Sequence, residues 1–245
     1  MKKKAFLTAS ELTAALVAMR NSLCREIDVG GLLSRNEIAH KWKAPWRALL
    51  LRESVAWRLI DLLDQSVHLQ AEEMHLGARI LVRSAFETLA VLVHVNLSMR
   101  GVVAGQVDFH HFSEHVTRLL LGSRNNSTPV ENVHISKILG KANQRYRGLL
   151  SWYEDLSETA HPNYGGMLQA YSTSDAKEYV TLFRSRWPEL TGKSNLLAAE
   201  ACLGVFEAEY NEIFTRTFKE LEEWIVSNDP RLEATKSGPK AARGA

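Results

Sequence analysis

The chain has 245 residues, of which 45% are apolar and 24% are charged, and its formal net charge is +2. This composition is that of a folded globular protein and excludes an intrinsically disordered chain. The near balance of charge excludes a uniformly basic protein, so any attraction to phosphate must come from a local patch. The two cysteines, Cys24 and Cys202, fall within apolar helical patterns and predict buried thiols in the reducing cytoplasm.

The most apolar segment of the chain, residues 77–99, is long enough to cross a bilayer. It also contains Arg79, Arg83 and Glu87. Because each charge near the centre of a membrane helix costs about 2.5–3.5 kcal/mol, we expect a buried helix of a soluble protein and no membrane partner.

Helical periodicity dominates the chain, and caps, prolines and glycines interrupt it. Thr8 and Glu11 form a capping box, which argues against a secretory signal at the amino terminus. Ser34 and Glu37 form a second box and predict a helix that begins at Arg35, after a break at "DVGGLL". The predicted helices are 9–27, one starting at 35, 46–70, 71–99, 109–122, 130–141, 143–160 and 195–227.

These elements predict an all-α fold, because no segment shows sustained strand alternation. We expect a single bundle of about seven helices with a long C-terminal helix, which together form one domain over residues 1–228. Residues 171–183 fit either a helix or a short strand. Residues 229–245 are polar, with little apolar content, and predict a disordered tail.

Charged residues recur every fourth position within the apolar 71–99 helix. Arg79, Arg83 and Glu87 therefore lie along one face of it. Burying an unpaired charge costs several kcal/mol, so these side chains must pair with one another, reach a partner helix or line a cleft. The sequence is compatible both with a buried ion-pair network and with a polar binding cleft.

A second polar cluster, "YEDLSETAHPNYGG", closes the 143–160 helix, with Ser157 and His161 four residues apart. The helix dipole alone favours a histidine at this end, and a position at the mouth of a cleft is the functional alternative. The segments R-S-x-x-E, from Arg83 to Glu87, and L-S-E-x-x-H-P-N, around Ser157 and His161, resemble an uncharacterised bacterial all-helical family, a domain of unknown function. The resemblance covers residues 50–220. It implies that Arg83, Glu87, Ser157 and His161 are neighbours in a binding site, and it implies no reaction.

The segment "RNEIAH", residues 35–40, has the form R-x4-H with a polar residue after the arginine. It resembles the motif of the HEPN superfamily, small helical proteins that include metal-independent ribonucleases of toxin–antitoxin and phage-defence systems. The resemblance implies an RNA substrate, no cofactor, and a homodimer in which two motifs face each other. It also implies that Arg35 binds phosphate, that His40 acts as acid or base, and that Asn36 positions the reacting group. The chemistry is sufficient, because a ribose 2′-hydroxyl attacks its own phosphate once a base accepts its proton and a guanidinium stabilises the charge.

Basic and aromatic residues alternate directly after this motif. Single-stranded RNA is bound in this way, through phosphate pairing and base stacking. The two tryptophans of this segment, Trp42 and Trp46, could equally be core residues. The residues concerned are Lys41, Trp42, Lys43, Trp46 and Arg47.

Two alternative functions remain open from the sequence. The first is a non-catalytic helical protein that binds a ligand or a partner through the polar cluster on the 71–99 and 143–160 helices. The second is a zinc-dependent hydrolase, because His111, Glu114 and His115 form the inverted zinc-protease motif, with Glu131 as the nearest third ligand.

Overall fold

The computed structural model describes residues 6–236, and its regular structure in that range is helical apart from one two-stranded hairpin. The all-α prediction is confirmed, as is the long C-terminal helix. The helices are α1 (Ala9–Ser22), α2 (Val29–Arg35), α3 (Glu37–His40), α4 (Lys43–Ala71), α5 (His75–Val103), α6 (Phe109–Leu121), α7 (Ile135–Arg145), α8 (Leu149–Ala160), α9 (Gln169–Tyr171), α10 (Trp187–Thr191), α11 (Ser194–Glu207) and α12 (Phe214–Ala234). The strands are β1 (Ser172–Asp175) and β2 (Val180–Phe183), and two π-helical segments span Tyr164–Leu168 and Ala208–Ile213.

Contacts between Cα atoms divide the chain into two compact units, each assembled from three stretches of sequence. The prediction of one domain over residues 1–228 stays a prediction. Unit 1 contains Met1–Cys24, Glu53–His94 and His134–Tyr210, and unit 2 contains Arg25–Arg52, Val95–Val133 and Asn211–Ala245.

The segment predicted as a break before the R-x4-H motif is helical in the structure. Asp28 caps α2, because its carboxylate accepts the Gly31 N–H at 2.9 Å. This cap offsets the cost of two helical glycines, each about 0.5–1 kcal/mol relative to alanine. The predicted helix start at Arg35 is wrong, since Arg35 is the last residue of α2. By contrast, the capping box at Thr8 is confirmed.

The C-terminal helix extends beyond the predicted boundary at residue 228. Helix α12 continues to Ala234, with Pro230 inside it. Asp229 fixes this last part, because its carboxylate accepts from Lys41 Nζ at 2.7 Å and from Trp42 Nε1 at 2.9 Å. The prediction of a disordered tail is therefore wrong for residues 229–234, and its residues 237–245 lie outside the described range.

Helix α5 is the most apolar element and passes the length and composition test for a membrane span. In the structure, 56% of its apolar window is buried inside the protein. Its inward-facing residues include Val82, Phe86, Leu89 and Val93. That burial fits the core helix of a soluble protein, whereas the cytoplasmic location stays a prediction.

Neither cysteine forms a disulfide within the described residues, and only one has the predicted setting. Cys202 lies in α11 and is buried, and this burial raises the pKa of its thiol well above the ordinary value. Cys24 is half-buried and lies between α1 and α2, so its predicted helical position is wrong.

Candidate functional site

The R-x4-H motif forms a compact cluster with a carboxylate that is distant in sequence. Arg35 ends α2, His40 ends α3, and both reach Glu222 of α12. His40 Nε2 lies 2.6 Å from Glu222 Oε1, and Arg35 Nη2 donates to the same oxygen. Arg35 Nη2 and His40 Nε2 are themselves 3.3 Å apart. The motif residues therefore converge on one carboxylate oxygen from two short helices rather than from one helix face.

Hydrogen-bond chemistry fixes the protons in this cluster. A guanidinium only donates, and the short contact between His40 Nε2 and Glu222 requires a proton between these atoms. Nε2–H and the Arg35 N–H thus both donate to Oε1, and the 3.3 Å contact joins two donors. His40 Nδ1 is buried without a hydrogen-bond partner among the described residues. This arrangement places an imidazole proton on Nε2.

Burial differs sharply among the three side chains. The side chains of His40 and Glu222 are 2% and 7% exposed, whereas that of Arg35 is 57% exposed. The ring of Phe218, one turn before Glu222 on α12, lies 6.3 Å from the imidazole, centroid to centroid. An unpaired buried carboxylate costs several kcal/mol, and the two donors offset that cost. The pair formed by His40 and Glu222 is thus sheltered, and Arg35 is the member of the cluster that faces solvent.

A cleft of about 450 Å³ opens beside the cluster, and Arg35 and Glu222 form part of its wall. Ligand sites have volumes of roughly 300–1,000 Å³, so the cleft is large enough for a small ligand or a nucleotide portion of a polymer. Arg52 and Lys219 add two further cations, and the Arg52 guanidinium lies 5.0 Å from the ring centroid of Phe214. The remaining lining residues are Leu32, Leu49, Thr215 and Phe218. Three cations and one carboxylate therefore surround this cleft, which favours an anionic ligand.

Asn36 has a structural role as a helix cap, and its predicted positioning role stays a prediction. Its side-chain oxygen accepts the Ala39 N–H at 3.0 Å and so caps α3. The predicted capping box of Ser34 and Glu37 does not form, because the helix begins one residue after Asn36. The cap separates α2 from α3, and this separation lets Arg35 and His40 meet.

Replacing Asn36 with alanine should lower the free energy of unfolding by about 1 kcal/mol, because the cap of α3 is lost. Asn36→Asp retains an oxygen acceptor and should remain close to wild-type stability. Chemical denaturation of the two variants checks this expectation, and equal stability of both variants would contradict the capping role.

Of the two alternatives that the sequence leaves open for Trp42, the structure has the core position. Trp42 is buried and packs edge-on against Phe109, with 5.4 Å between ring centroids. Lys41 pairs with Asp229 and with Glu233, and the hydrogen bond to Asp229 is the main cause that raises the pKa of Lys41. The same bond lowers the pKa of Asp229. These residues fix the end of α12 and do not form an open binding surface.

A separate polar network in unit 1 joins α5 to α8. Arg83 Nε donates to Ser157 Oγ at 2.8 Å, and Arg83 Nη2 lies 3.1 Å from Glu87 Oε1. The Tyr153 hydroxyl lies between them, accepting from Arg83 at 3.0 Å and donating to Glu87 at 2.9 Å. The structure thus brings together Arg83, Glu87 and Ser157. Each of these polar groups already has a partner within the protein.

His161 stands apart from that network. It is exposed and forms the C-cap of α8, where its backbone N–H donates to the Ser157 carbonyl at 3.2 Å. Among the contacts of the described residues, none joins its imidazole to Arg83 or Glu87. The predicted four-residue binding cluster is therefore present only in part, and the position of His161 is the one that the helix dipole favours.

Arg79, one turn before Arg83, is a buried structural clamp, and its side chain is 2% exposed. Its guanidinium donates to the Asp155 carboxylate at 2.6 Å, to the Asn195 side-chain oxygen at 3.2 Å and to the Thr159 hydroxyl. Asp155 and Thr159 lie on α8, and Asn195 lies in the first turn of α11. The charged stripe of α5 is therefore largely an internal ion-pair and hydrogen-bond network.

The zinc motif does not acquire a third ligand. His111 and His115 stack with ring centroids 6.4 Å apart, and burial, with His111 and Arg118 nearby, lowers the pKa of His115. Glu131 instead pairs with Arg118 at 3.1 Å. Within residues 6–236, no group of three His, Cys, Asp or Glu side chains could hold a metal ion.

The sequence analysis missed Glu222, Arg52 and Lys219, and a signal for the first was available. Glu222 follows Phe218 by four residues and shares its apolar face of α12, so it is a charge in a buried stripe. Comparisons of the chain with protein-family models, with curated proteins and with solved structures find no match.

Proposed function

We propose that this protein is a metal-independent ribonuclease of the toxin-effector type, in which Arg35, His40 and Glu222 carry the chemistry. The observation that carries the proposal is the convergence of Arg35 and His40 on one buried carboxylate oxygen at the wall of a cationic cleft. An acid–base pair beside a phosphate-binding guanidinium is the minimum that RNA transesterification needs.

In this mechanism, His40 and Glu222 act as one acid–base pair that shares a proton between Nε2 and Oε1. The pair accepts the proton of a ribose 2′-hydroxyl as the 2′-oxygen bonds to the adjacent phosphorus. The bond between phosphorus and the 5′-oxygen then breaks, and the pair returns a proton to that oxygen. The products are a 2′,3′-cyclic phosphate and a 5′-hydroxyl. No atom of this sequence of steps comes from a cofactor or a metal ion.

Arg35 has the properties required of the phosphate ligand. Its side chain is 57% exposed, and its planar fork carries five N–H donors, of which the contact with Glu222 uses only part. It can therefore bind a phosphate oxygen at the cleft while the buried pair stays in place. Arg52 and Lys219 supply further positive charge for the flanking phosphates.

The HEPN resemblance of the R-x4-H motif supports the same proposal from the sequence. It implies two motifs that face each other, so we propose that the active form is a homodimer with RNA as its substrate. A cytoplasmic location follows from that substrate. The biological setting that the resemblance implies is phage defence or a toxin–antitoxin system.

A second candidate function is non-catalytic binding of an anionic ligand in the same cleft. The low exposure of His40 favours it, because a side chain that is 2% exposed has little surface for contact with a substrate. In this case Arg35 and Glu222 would form part of the wall of a binding cleft, and no bond would be cleaved.

Replacing His40 with glutamine should abolish cleavage of total RNA in EDTA, together with any growth arrest caused by expressing the protein. The Gln amide can still donate to Glu222, so the cluster can persist, but it cannot exchange a proton. Gel analysis of RNA and a melting curve of each protein provide the measurement. Undiminished cleavage by a folded His40→Gln protein would rule out the ribonuclease assignment. Wild-type protein that retains RNA without cleaving it would favour the binding protein.

A further inference from the structure

The β1–β2 hairpin carries three strongly exposed large apolar side chains. Tyr179, Leu182 and Phe183 are 94%, 64% and 78% exposed, and every residue of β2 is exposed. Several exposed large apolar side chains on one short element favour a contact with another molecule. An isolated two-stranded hairpin is also marginally stable in water, and additional strands or a packed face are needed to stabilise it.

The outer edge of β2 presents unpaired backbone groups. The Arg184 N–H donates to the Tyr171 carbonyl at 3.0 Å, in line with the register that pairs Ser172 with Phe183. Because backbone groups alternate in direction along a strand, those of Thr181 and Phe183 point away from β1. Within residues 6–236, no third strand joins this sheet. Such an edge is a template for pairing with another strand.

We propose that β2 pairs edge to edge and antiparallel with β2 of a second copy of this chain, which gives a four-stranded sheet across a twofold axis and supplies the interface of the homodimer in the proposed function. Thr181 then faces Phe183 of the second copy, and each such pair exchanges both backbone hydrogen bonds. The two Leu182 side chains meet at the axis. A twofold interface of this kind is isologous, because the same strand contributes to both sides.

Charge at the two ends of the strand selects a second copy as the occupant. Glu178 precedes β2 and Arg184 follows it, so "EYVTLFR" begins with an anion and ends with a cation. Antiparallel pairing brings Glu178 of each copy to the arginine end of the other, whereas parallel pairing would place like charges together. The strand is therefore complementary to itself in the antiparallel orientation. Arg184 also pairs with Glu189 within its own chain, and a guanidinium has further N–H donors for a second carboxylate.

Two proline substitutions test the pairing on the full chain. Ser174 of β1 and Thr181 of β2 face each other, and their hydroxyls are 2.9 Å apart, so Ser174→Pro and Thr181→Pro lose the same side-chain hydrogen bond. Each proline removes an N–H that points away from the hairpin, but only Thr181→Pro removes one from the proposed interface. By sedimentation velocity, wild type and Ser174→Pro should be dimeric, and Thr181→Pro should be monomeric with an unchanged melting curve.

Charge reversal tests the orientation independently. Glu178→Arg and Arg184→Glu should each weaken the dimer about tenfold or more, and the double variant should restore it, as expected for paired rim charges whose reversal creates like-charge contacts. Lys141→Glu, an exposed charge on α7, is the control and should leave the dimer intact. Wild-type protein that remains monomeric when its concentration is raised to about 100 times a micromolar level would overturn the proposal. Binding of neutral phosphatidylcholine vesicles by a monomer would overturn it as well. His40→Gln should not change the dimer, so this inference and the ribonuclease proposal can fail separately.

Discussion

Replacing Glu222 with glutamine should reduce the rate of RNA cleavage by roughly 10²–10⁴-fold, the usual contribution of a positioned acid–base group. The amide oxygen can still accept a hydrogen bond from Arg35 or His40, but the side chain carries no charge and cannot take up a proton from the histidine. The imidazolium that forms during proton transfer would then lose its stabilising partner. Initial rates with a fluorescently labelled RNA in EDTA provide the measurement.

The neighbouring glutamate offers a matched control for this experiment. Glu223 lies next to Glu222 on α12 but is 68% exposed, and its contact with Lys219 is long, at 3.9 Å. Glu223→Gln changes the net charge by the same amount and should leave the cleavage rate close to that of wild type. Equal rates for both glutamine variants would mean that Glu222 is only a structural partner of Arg35.

Replacing Arg79 with leucine should lower the free energy of unfolding by about 3–5 kcal/mol, because charge-assisted hydrogen bonds to three partners are lost in a buried setting. The Asn195 side chain, which is itself buried, would lose the donor to its oxygen. Asp155 is mostly exposed and can be solvated by water, so it adds less to the cost. Urea unfolding monitored by circular dichroism gives the value.

Glu87→Ala is the comparison for Arg79→Leu and should cost only about 1 kcal/mol. The sequence alone suggests a larger effect, because it places Arg83 in an apolar helix with Glu87 as its sole apparent partner. In the structure Arg83 also donates to Tyr153 and Ser157, and its side chain is 25% exposed. An equal loss of stability in the two variants would contradict the assignment of Arg79 as the main clamp.

The features that could be predicted from the sequence are those set by neighbouring residues. Helical periodicity established the all-α class, the Thr8 capping box marked the start of α1, and four-residue spacing paired Arg83 with Glu87. The R-x4-H motif identified Arg35 and His40 as candidates, because the two residue types suit phosphate chemistry. These signals each extend over no more than a few residues.

The features that could not be predicted depend on contacts between distant parts of the chain. Glu222 is 182 residues from His40, and nothing in the local pattern of α12 indicates which side chain it meets. The helix start at Arg35 was predicted wrongly because Ser34 and Asn36 are both good N-cap residues. The structure uses Asn36 as the cap. Trp42 could be buried or could stack on a base, and only its packing against Phe109 decides.

The chemical ends of the RNA fragments show whether the ribose hydroxyl of the substrate is the attacking group. Wild-type protein incubated with a defined RNA in EDTA should yield 2′,3′-cyclic phosphate and 5′-hydroxyl ends, because His40 and Glu222 activate the ribose hydroxyl of the substrate itself. Mass spectrometry of the fragments distinguishes these ends from others. Fragments with 5′-phosphate and 3′-hydroxyl ends, formed only when a divalent cation is added, would contradict the account.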